Sequence, residues 1–212
     1  MTVLRRQQLV RLSAAGWTRV LDAPWDSGAR SCLGLWAARD LPLVVTRQPP
    51  ADGDQVASGL PAPARYGRRR LALAIEPREV ASSHEFPAAA LATRLLPRGL
   101  AAPWRALLAT LAEAGCVPRV YGGFGWQALT RLAYVHTGSD LDLLLPVHSA
   151  AHADAVARAL ASATWDGPRL DGELLLPDGG AIAWREWRAH REGRAARVLV
   201  KRLHGVALEC PA

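Results

Sequence analysis

Asp140-Leu141-Asp142 opens an otherwise apolar run, Leu143-Leu144-Leu145, that stops at Pro146. Side chains alternate faces along a strand, so both carboxylates stand together at one end of a buried strand. Left unpaired beside a core they repel each other. A divalent cation removes that penalty, and hard carboxylate oxygens suit Mg²⁺; capping the strand at the surface or pairing with arginines would also serve. Upstream, Val117-Pro118-Arg119-Val120-Tyr121 reads as a short strand running into Gly122-Gly123, and residues 124–133 as a helix. Glycines at a strand-to-helix turn let the backbone approach a ligand closely, and a helix N-terminus favours a phosphate. Alone, such a turn is an ordinary tight turn. Strand, double-glycine turn, helix and paired-acid strand in succession form a far more specific pattern than either part.

The surrounding sequence supplies a frame. Trp104, Leu107, Leu108 and Leu111 fall on one helical face, with Pro103 at an N1 position and Gly115 at a C′ position. Ser149 to Ala163 is an Ala-rich helix capped by Ser149. Arg169 to Leu176 and Ala181 to Trp187 flank the turn signal Pro177-Asp178-Gly179-Gly180, and Arg197 to Leu203 pairs with Val206 to Glu209 across His204-Gly205. Before residue 100 there are three strand-like runs, Cys32 to Ala38, Leu41 to Thr46 and Leu71 to Ile75, the first two spaced as a hairpin. Leu4 to Ala15 fits a short helix, Gln48 to Gly67 a long surface loop, and Pro97 to Pro103 a linker. These readings give an α/β (α+β) chain: a smaller, sheet-containing domain at 1–98, then a mixed-sheet domain at 99–212.

At 212 residues the chain is long enough for one large domain or two small ones without staples. It has no apolar run long enough to span a membrane and no signal-peptide core, and Cys32, Cys116 and Cys210 have no metal-binding or disulfide-frame spacing. A soluble cytoplasmic protein with free thiols is expected. Of the net charge of +7, residues 1–100 carry +6 (14 Arg, 8 acids), densest at Arg68-Arg69-Arg70, and residues 101–212 carry +1 (12 basic, 11 acidic). Such a field attracts polyphosphates, nucleic acid or an acidic protein, or simply solubilises an arginine-rich chain. The single lysine, Lys201, stands among 25 arginines; its compact ammonium can sit beside a phosphate without a planar fork.

The glycine turn followed by the paired acids resembles the nucleotidyltransferase superfamily, the fold of DNA polymerase beta. Sixteen residues separate Gly123 from Asp140, somewhat more than that superfamily usually shows. A wider stretch, Arg119 to Thr130 and Gly138-Ser139-Asp140-Leu141-Asp142-Leu143-Leu144, resembles the malonate decarboxylase holo-acyl-carrier-protein synthase family of phosphoribosyl-dephospho-CoA transferases. The likeness extends to Pro42 to Arg47, Gly67 to Leu73, Leu170 to Leu174 and Val198 to Lys201. Gly123 departs from the serine expected in the family's turn, which puts side-chain contact with a phosphate there in doubt.

The resemblance implies a polymerase-beta-like catalytic domain preceded by an auxiliary basic one that docks substrate or carrier. It also implies a reaction in which a serine of the apo acyl-carrier subunit of malonate decarboxylase attacks 2′-(5″-triphosphoribosyl)-3′-dephospho-CoA and pyrophosphate leaves. Two Mg²⁺ ions roughly 3.5–4 Å apart serve such in-line transfer, with Asp140 and Asp142 as shared ligands. A third carboxylate on a neighbouring strand completes the set; Asp171 and Glu173 both qualify, and Asp171 is favoured because it follows an apolar residue where the strand opens. Gly122, Gly123, Lys201, Arg119 and Trp126 are the expected substrate-binding residues.

Other features have plainer readings. Trp104, Trp165 and Trp184 are expected in the core, and His148 and His152 as two exposed side chains on a helix. Two competing functions remain: nucleotidyl transfer to another acceptor, such as an aminoglycoside or another protein, and a non-catalytic basic module binding nucleic acid. Against the latter, the chain carries no recognisable nucleic-acid motif and only 6% aromatics.

Overall fold

Two side-chain caps decide where the helices of the N-terminal half begin. Strand β1 (Leu9–Leu12) runs into Ser13, whose hydroxyl accepts the Gly16 N–H at 3.2 Å and starts α1 (Ala14–Asp22). Asp26 accepts the Ala29 N–H at 3.0 Å and starts α2 (Ser27–Ala38). Two expectations are thereby corrected. Leu4 to Ala15 holds a strand and only the start of a helix. Cys32 to Ala38 is helical rather than extended, because Ala29, Cys32, Leu33 and Trp36 bury one face at i, i+3, i+4 and i+7.

The computed structural model describes residues 4–49 and 54–211. After α2 come β2 (Leu43–Val45), β3 (Val56–Pro61), β4 (Arg70–Ile75) and β5 (Val80–His84), which form an antiparallel sheet of order β4-β3-β2-β1-β5. β3 lies within the stretch expected to be a loop, of which residues 50–53 fall outside the described residues. It pairs residue for residue with β4, from Val56 opposite Ile75 to Pro61 opposite Arg70. Gly59 is required there: a Cβ would stand 2.5 Å from the Leu71 carbonyl oxygen.

The chain divides into two units between Glu85 and Phe86, not after residue 98; the 203–205 turn groups with the first. Residues 97–103 are no linker. Ala89, Ala92 and Leu96 belong to the second core together with Trp104, and 3-10 turns at Ala89–Arg94 and Arg98–Leu100 lead straight into α3 (Ala101–Glu113). Gly115 follows the helix at φ +83°, as a C′ glycine should.

Next come β6 (Arg119–Val120), α4 (Gly122–Thr130), β7 (Leu141–Pro146), α5 (Ala150–Ser162), β8 (Leu170–Leu175), β9 (Ala181–Ala183), α6 (Trp184–Arg191), β10 (Val198–Lys201) and β11 (Val206–Glu209). The sheet order is β11-β10-β9-β8-β7-β6; β7 and β8 are parallel and joined through α5, and every other pair is antiparallel. The unit is thus an α/β arrangement with a mixed sheet. Ser149 caps α5 by accepting the His152 N–H at 3.1 Å. The strand expected over 181–187 ends at Ala183, since Trp184 and Trp187 bury one side of a helix whose last turn carries Arg188, His190 and Arg191.

Leu141, Leu143 and Leu145 of β7 and Leu170 and Leu174 of β8 face the core formed with Trp104, Leu111, Phe124 and Val156. Trp184 is buried as well, and Trp165 packs on Trp104 at 5.6 Å. His152 is buried, contrary to expectation, with its ring 4.1 Å from that of His148; burial pushes its pKa down. Cys32, Cys116 and Cys210 are free thiols. Among the described residues no helix is long and apolar enough to cross a membrane.

Candidate active site

With the odd-numbered leucines of β7 committed to the core, Asp142 must point to the opposite sheet face, and the same alternation sends Asp171 and Glu173 there from β8. The parallel register sets Asp142 directly beside Asp171. Gly172 permits this close pairing, because a Cβ there would meet the Leu143 carbonyl oxygen at 2.5 Å. Asp140 lies one residue before β7 and shares the cluster through Arg169, whose Nη2 donates to Asp140 Oδ2 at 2.7 Å and to Asp171 Oδ2 at 3.0 Å. The pattern paired Asp140 with Asp142 and left the third acid to Asp171 or Glu173; the fold brings Asp140, Asp142 and Asp171 together.

The glycine turn meets the same group. The Tyr121 N–H donates to the Asp142 carbonyl at 3.0 Å, and the first helical bond of α4 runs from Gly125 N–H to Tyr121 O at 2.9 Å. The amides of Gly122, Gly123 and Phe124 therefore stand ahead of the helical ladder, at its electropositive end. Gly122 has φ +56°, and a Cβ on it would lie 1.9 Å from Asp142 Oδ2. The bare Cα is what lets the carboxylate sit against the helix start. A Cβ on Gly123 would meet only the Ser139 hydroxyl oxygen, at 3.9 Å. Ser139 thus brings a hydroxyl to the turn, beside Gly123.

The electrostatics separate the acids. The Arg169 guanidinium holds the Asp140 carboxyl below its ordinary range. Asp142 has no hydrogen-bond or ion-pair partner for its carboxylate among the described residues, and it is pushed up to about 7, by burial first and then by the charges of Asp171 and Asp140. As they stand, no three His, Cys, Asp or Glu among the described residues are grouped so as to hold an ion, and Arg169 spans two of these acids. The donor set nevertheless fits Mg²⁺: three hard carboxylates gather at one place, and the most buried of them has no counter-charge of its own.

Four expected residues are engaged elsewhere. Glu173 is 4% exposed and accepts from Lys201 Nζ at 2.9 Å, so the acid expected at the metal and the lysine expected at the triphosphate neutralise each other. Trp126 is 4% exposed, edge-on to Phe86 at 5.6 Å, and belongs to the packing under the turn. Arg119 donates to the Phe86 carbonyl at 2.8 Å. Conversely, sequence reasoning overlooked Arg169, although alternation along β8 places residues 169, 171 and 173 on one face. It also overlooked Arg185, which donates to the Leu170 carbonyl at 2.9 Å and contributes positive charge at Asp140.

Two family models cover nearly the whole chain. One, described as the phosphoribosyl-dephospho-CoA transferase MdcG C-terminal domain, matches residues 88–211, and the corresponding N-terminal domain matches residues 5–86. A phosphoribosyl-dephospho-CoA transferase of Bradyrhizobium diazoefficiens is 40% identical over 207 residues, covering 96% of this chain and 88% of the relative. One of Xanthomonas campestris is 40% identical over 201 residues (91% and 90%), and one of Pseudomonas aeruginosa 36% over 171 residues (74% and 73%). No solved structure matches.

Proposed function

The chain belongs to the phosphoribosyl-dephospho-CoA transferase family, and from that premise we propose that it modifies the apo acyl-carrier subunit of malonate decarboxylase. The donor is 2′-(5″-triphosphoribosyl)-3′-dephospho-CoA. A bond forms between the carrier's serine oxygen and the α-phosphorus, the bond from that phosphorus to pyrophosphate breaks, and the serine proton passes to a carboxylate. The observation that carries this reading is the meeting of Asp140, Asp142 and Asp171 beside the glycine start of α4. That meeting also supports a polymerase-beta-like catalytic unit.

Asp140, Asp142 and Asp171 would hold a pair of Mg²⁺ ions. Bound there, the ions neutralise phosphate charge and make the serine oxygen a better nucleophile. The remaining work falls to the chain. The amides of Gly122 and Gly123 and the N-terminal dipole of α4 receive the triphosphate, and the Ser139 hydroxyl donates to it. Asp171 Oδ1 accepts the Gly172 N–H at 2.8 Å, which fixes the orientation of the carboxylate that takes the serine proton. Lys201 acts as the counter-charge that keeps Glu173 in place beneath the site.

The test is the intact mass of purified apo-carrier after incubation with the donor, Mg²⁺ and this protein. A gain of one phosphoribosyl-dephospho-CoA unit is expected. No gain with that donor, but an adenylyl increment with ATP, would transfer the reading to a different nucleotidyltransferase.

The basic N-terminal unit is proposed to dock an acidic carrier. Arg69 is a poor probe of this, because its guanidinium forks Asp26 at 2.8 and 2.6 Å, and Asp26 caps α2. Arg68 is exposed and serves instead. Arg68→Glu is expected to raise the carrier KM several-fold at low salt, with the difference vanishing by about 0.5 M salt, where screening is nearly complete. Identical KM values at both salts would contradict docking through this patch.

A further inference from the structure

Arg169 and any divalent ion held by the acids need the same oxygens. The guanidinium donates through Nε to Asp140 Oδ1 at 3.1 Å, through Nη2 to Asp140 Oδ2 at 2.7 Å, and through Nη2 to Asp171 Oδ2 at 3.0 Å. It bridges two of the three carboxylates, one just before β7 and one on β8, and leaves the third, Asp142, without a hydrogen-bond partner. Ion and guanidinium therefore exclude one another there. The side chain is free to leave, being 59% exposed on a flexible stem and held, among the described residues, by these carboxylates alone.

It also has somewhere to go. A triphosphate beside Gly122 and Gly123 calls for a cationic side chain, and Lys201 is occupied by Glu173. A planar guanidinium matches two phosphate oxygens at once, which an ammonium does not.

We propose that Arg169 is a donor-binding residue with two positions: it bridges Asp140 and Asp171 until a divalent cation takes their oxygens, and then closes on the donor's triphosphate. The proposal rests on the metal reading given above. It makes productive donor binding follow cation binding, since the triphosphate's arginine is released only by the ion.

Two measurements on the full chain test it. The first is phenylglyoxal labelling of the wild-type protein, read at Arg169 by peptide mass spectrometry. Labelling is expected to be slow alone, several-fold faster with Mg²⁺, and suppressed again when the triphosphoribosyl donor joins Mg²⁺. The second is Mn²⁺ titration by electron paramagnetic resonance on wild type, Asp142→Asn and Arg169→Gln, alongside donor KM. Arg169→Gln is expected to bind Mn²⁺ roughly tenfold more tightly and to raise the donor KM roughly tenfold, as fits the loss of a multidentate charged contact. Arg169→Lys, which keeps the charge but loses the fork, is expected to raise the donor KM as well. If Mn²⁺ binding depends on Asp142 but Arg169 labels equally under all three conditions, Arg169 is a fixed structural bridge and the proposal fails. If wild type shows no Asp142-dependent Mn²⁺ binding, the metal reading itself fails first.

Discussion

Asp142→Asn is expected to remain folded and to lose transfer by a factor on the order of a thousand, the scale of several kcal/mol of transition-state charge stabilisation. Its stability should move the other way. The Asp142 carboxyl is pushed up to about 7 in the fold, first by burial and then by its acidic neighbours, whereas an unfolded chain titrates it near about 3.9. The folded state therefore holds this proton more tightly. The stability this provides is fully present below pH about 4 and is lost as pH rises toward 7, where the ionised carboxylate stands without a partner. Asparagine cannot ionise and escapes that loss. With a chelator present, the variant should melt level with wild type near pH 4 and higher near pH 8, by on the order of 1 kcal/mol after screening by solvent. Transfer at the wild-type rate, or a lower melting temperature near pH 8, would contradict this account of Asp142.

Gly122→Ala is expected to do comparable damage by geometry rather than charge. Alanine at φ +56° is strained, and its Cβ would lie 1.9 Å from Oδ2 and 2.8 Å from Cγ of Asp142. The Asp142 carboxylate must swing away or the turn must open. A misplacement of this size costs about a hundredfold in rate, together with about 1–3 kcal/mol of stability from the backbone conformation. Gly123→Ser is the matched control. A Cβ at 123 meets nothing nearer than the Ser139 hydroxyl oxygen at 3.9 Å, so transfer within a few-fold of wild type is expected. Equal effects at the two glycines, measured by the carrier-mass assay and by thermal melts, would remove the special role of Gly122.

Much of this site was legible in the chain because it rests on short-range rules. Alternation along one strand places Asp140 and Asp142, a glycine pair between strand and helix marks the turn, and Asp171 and Glu173 follow two apart on the next strand, with nothing local to choose between them. What was not legible depends on partners distant in sequence. Nothing near Glu173 indicates that Lys201 will reach it across β9, and an acid buried at that depth takes the nearest cation whatever its residue type suggests for catalysis. Trp126 beside the glycines invites a ligand, but its large apolar surface finds Phe86, far upstream. In the N-terminal unit the misreadings share one cause. The run Cys32 to Ala38 is apolar enough for a buried strand or a buried helix, and Asp26, six residues earlier, decides for the helix by capping it. Likewise Val56 to Pro61 lies in a glycine- and proline-rich stretch that looks irregular until β4 offers it a full set of partners.

In the proposed reaction, the carboxylates of Asp140, just before β7, Asp142 on β7 and Asp171 on β8 join the glycine start of α4 in a single centre for a metal and a triphosphate. Anomalous diffraction from crystals soaked with Mn²⁺ and the triphosphoribosyl donor addresses it most directly. The account predicts anomalous density within about 2.0–2.2 Å of oxygens from Asp140, Asp142 and Asp171, the distance of hard-cation carboxylate bonds. It also predicts phosphate density over the amides of Gly122 and Gly123, with the Arg169 guanidinium turned from the acids to that phosphate. Metal bound away from these carboxylates, or a triphosphate seated elsewhere on the molecule, would contradict it.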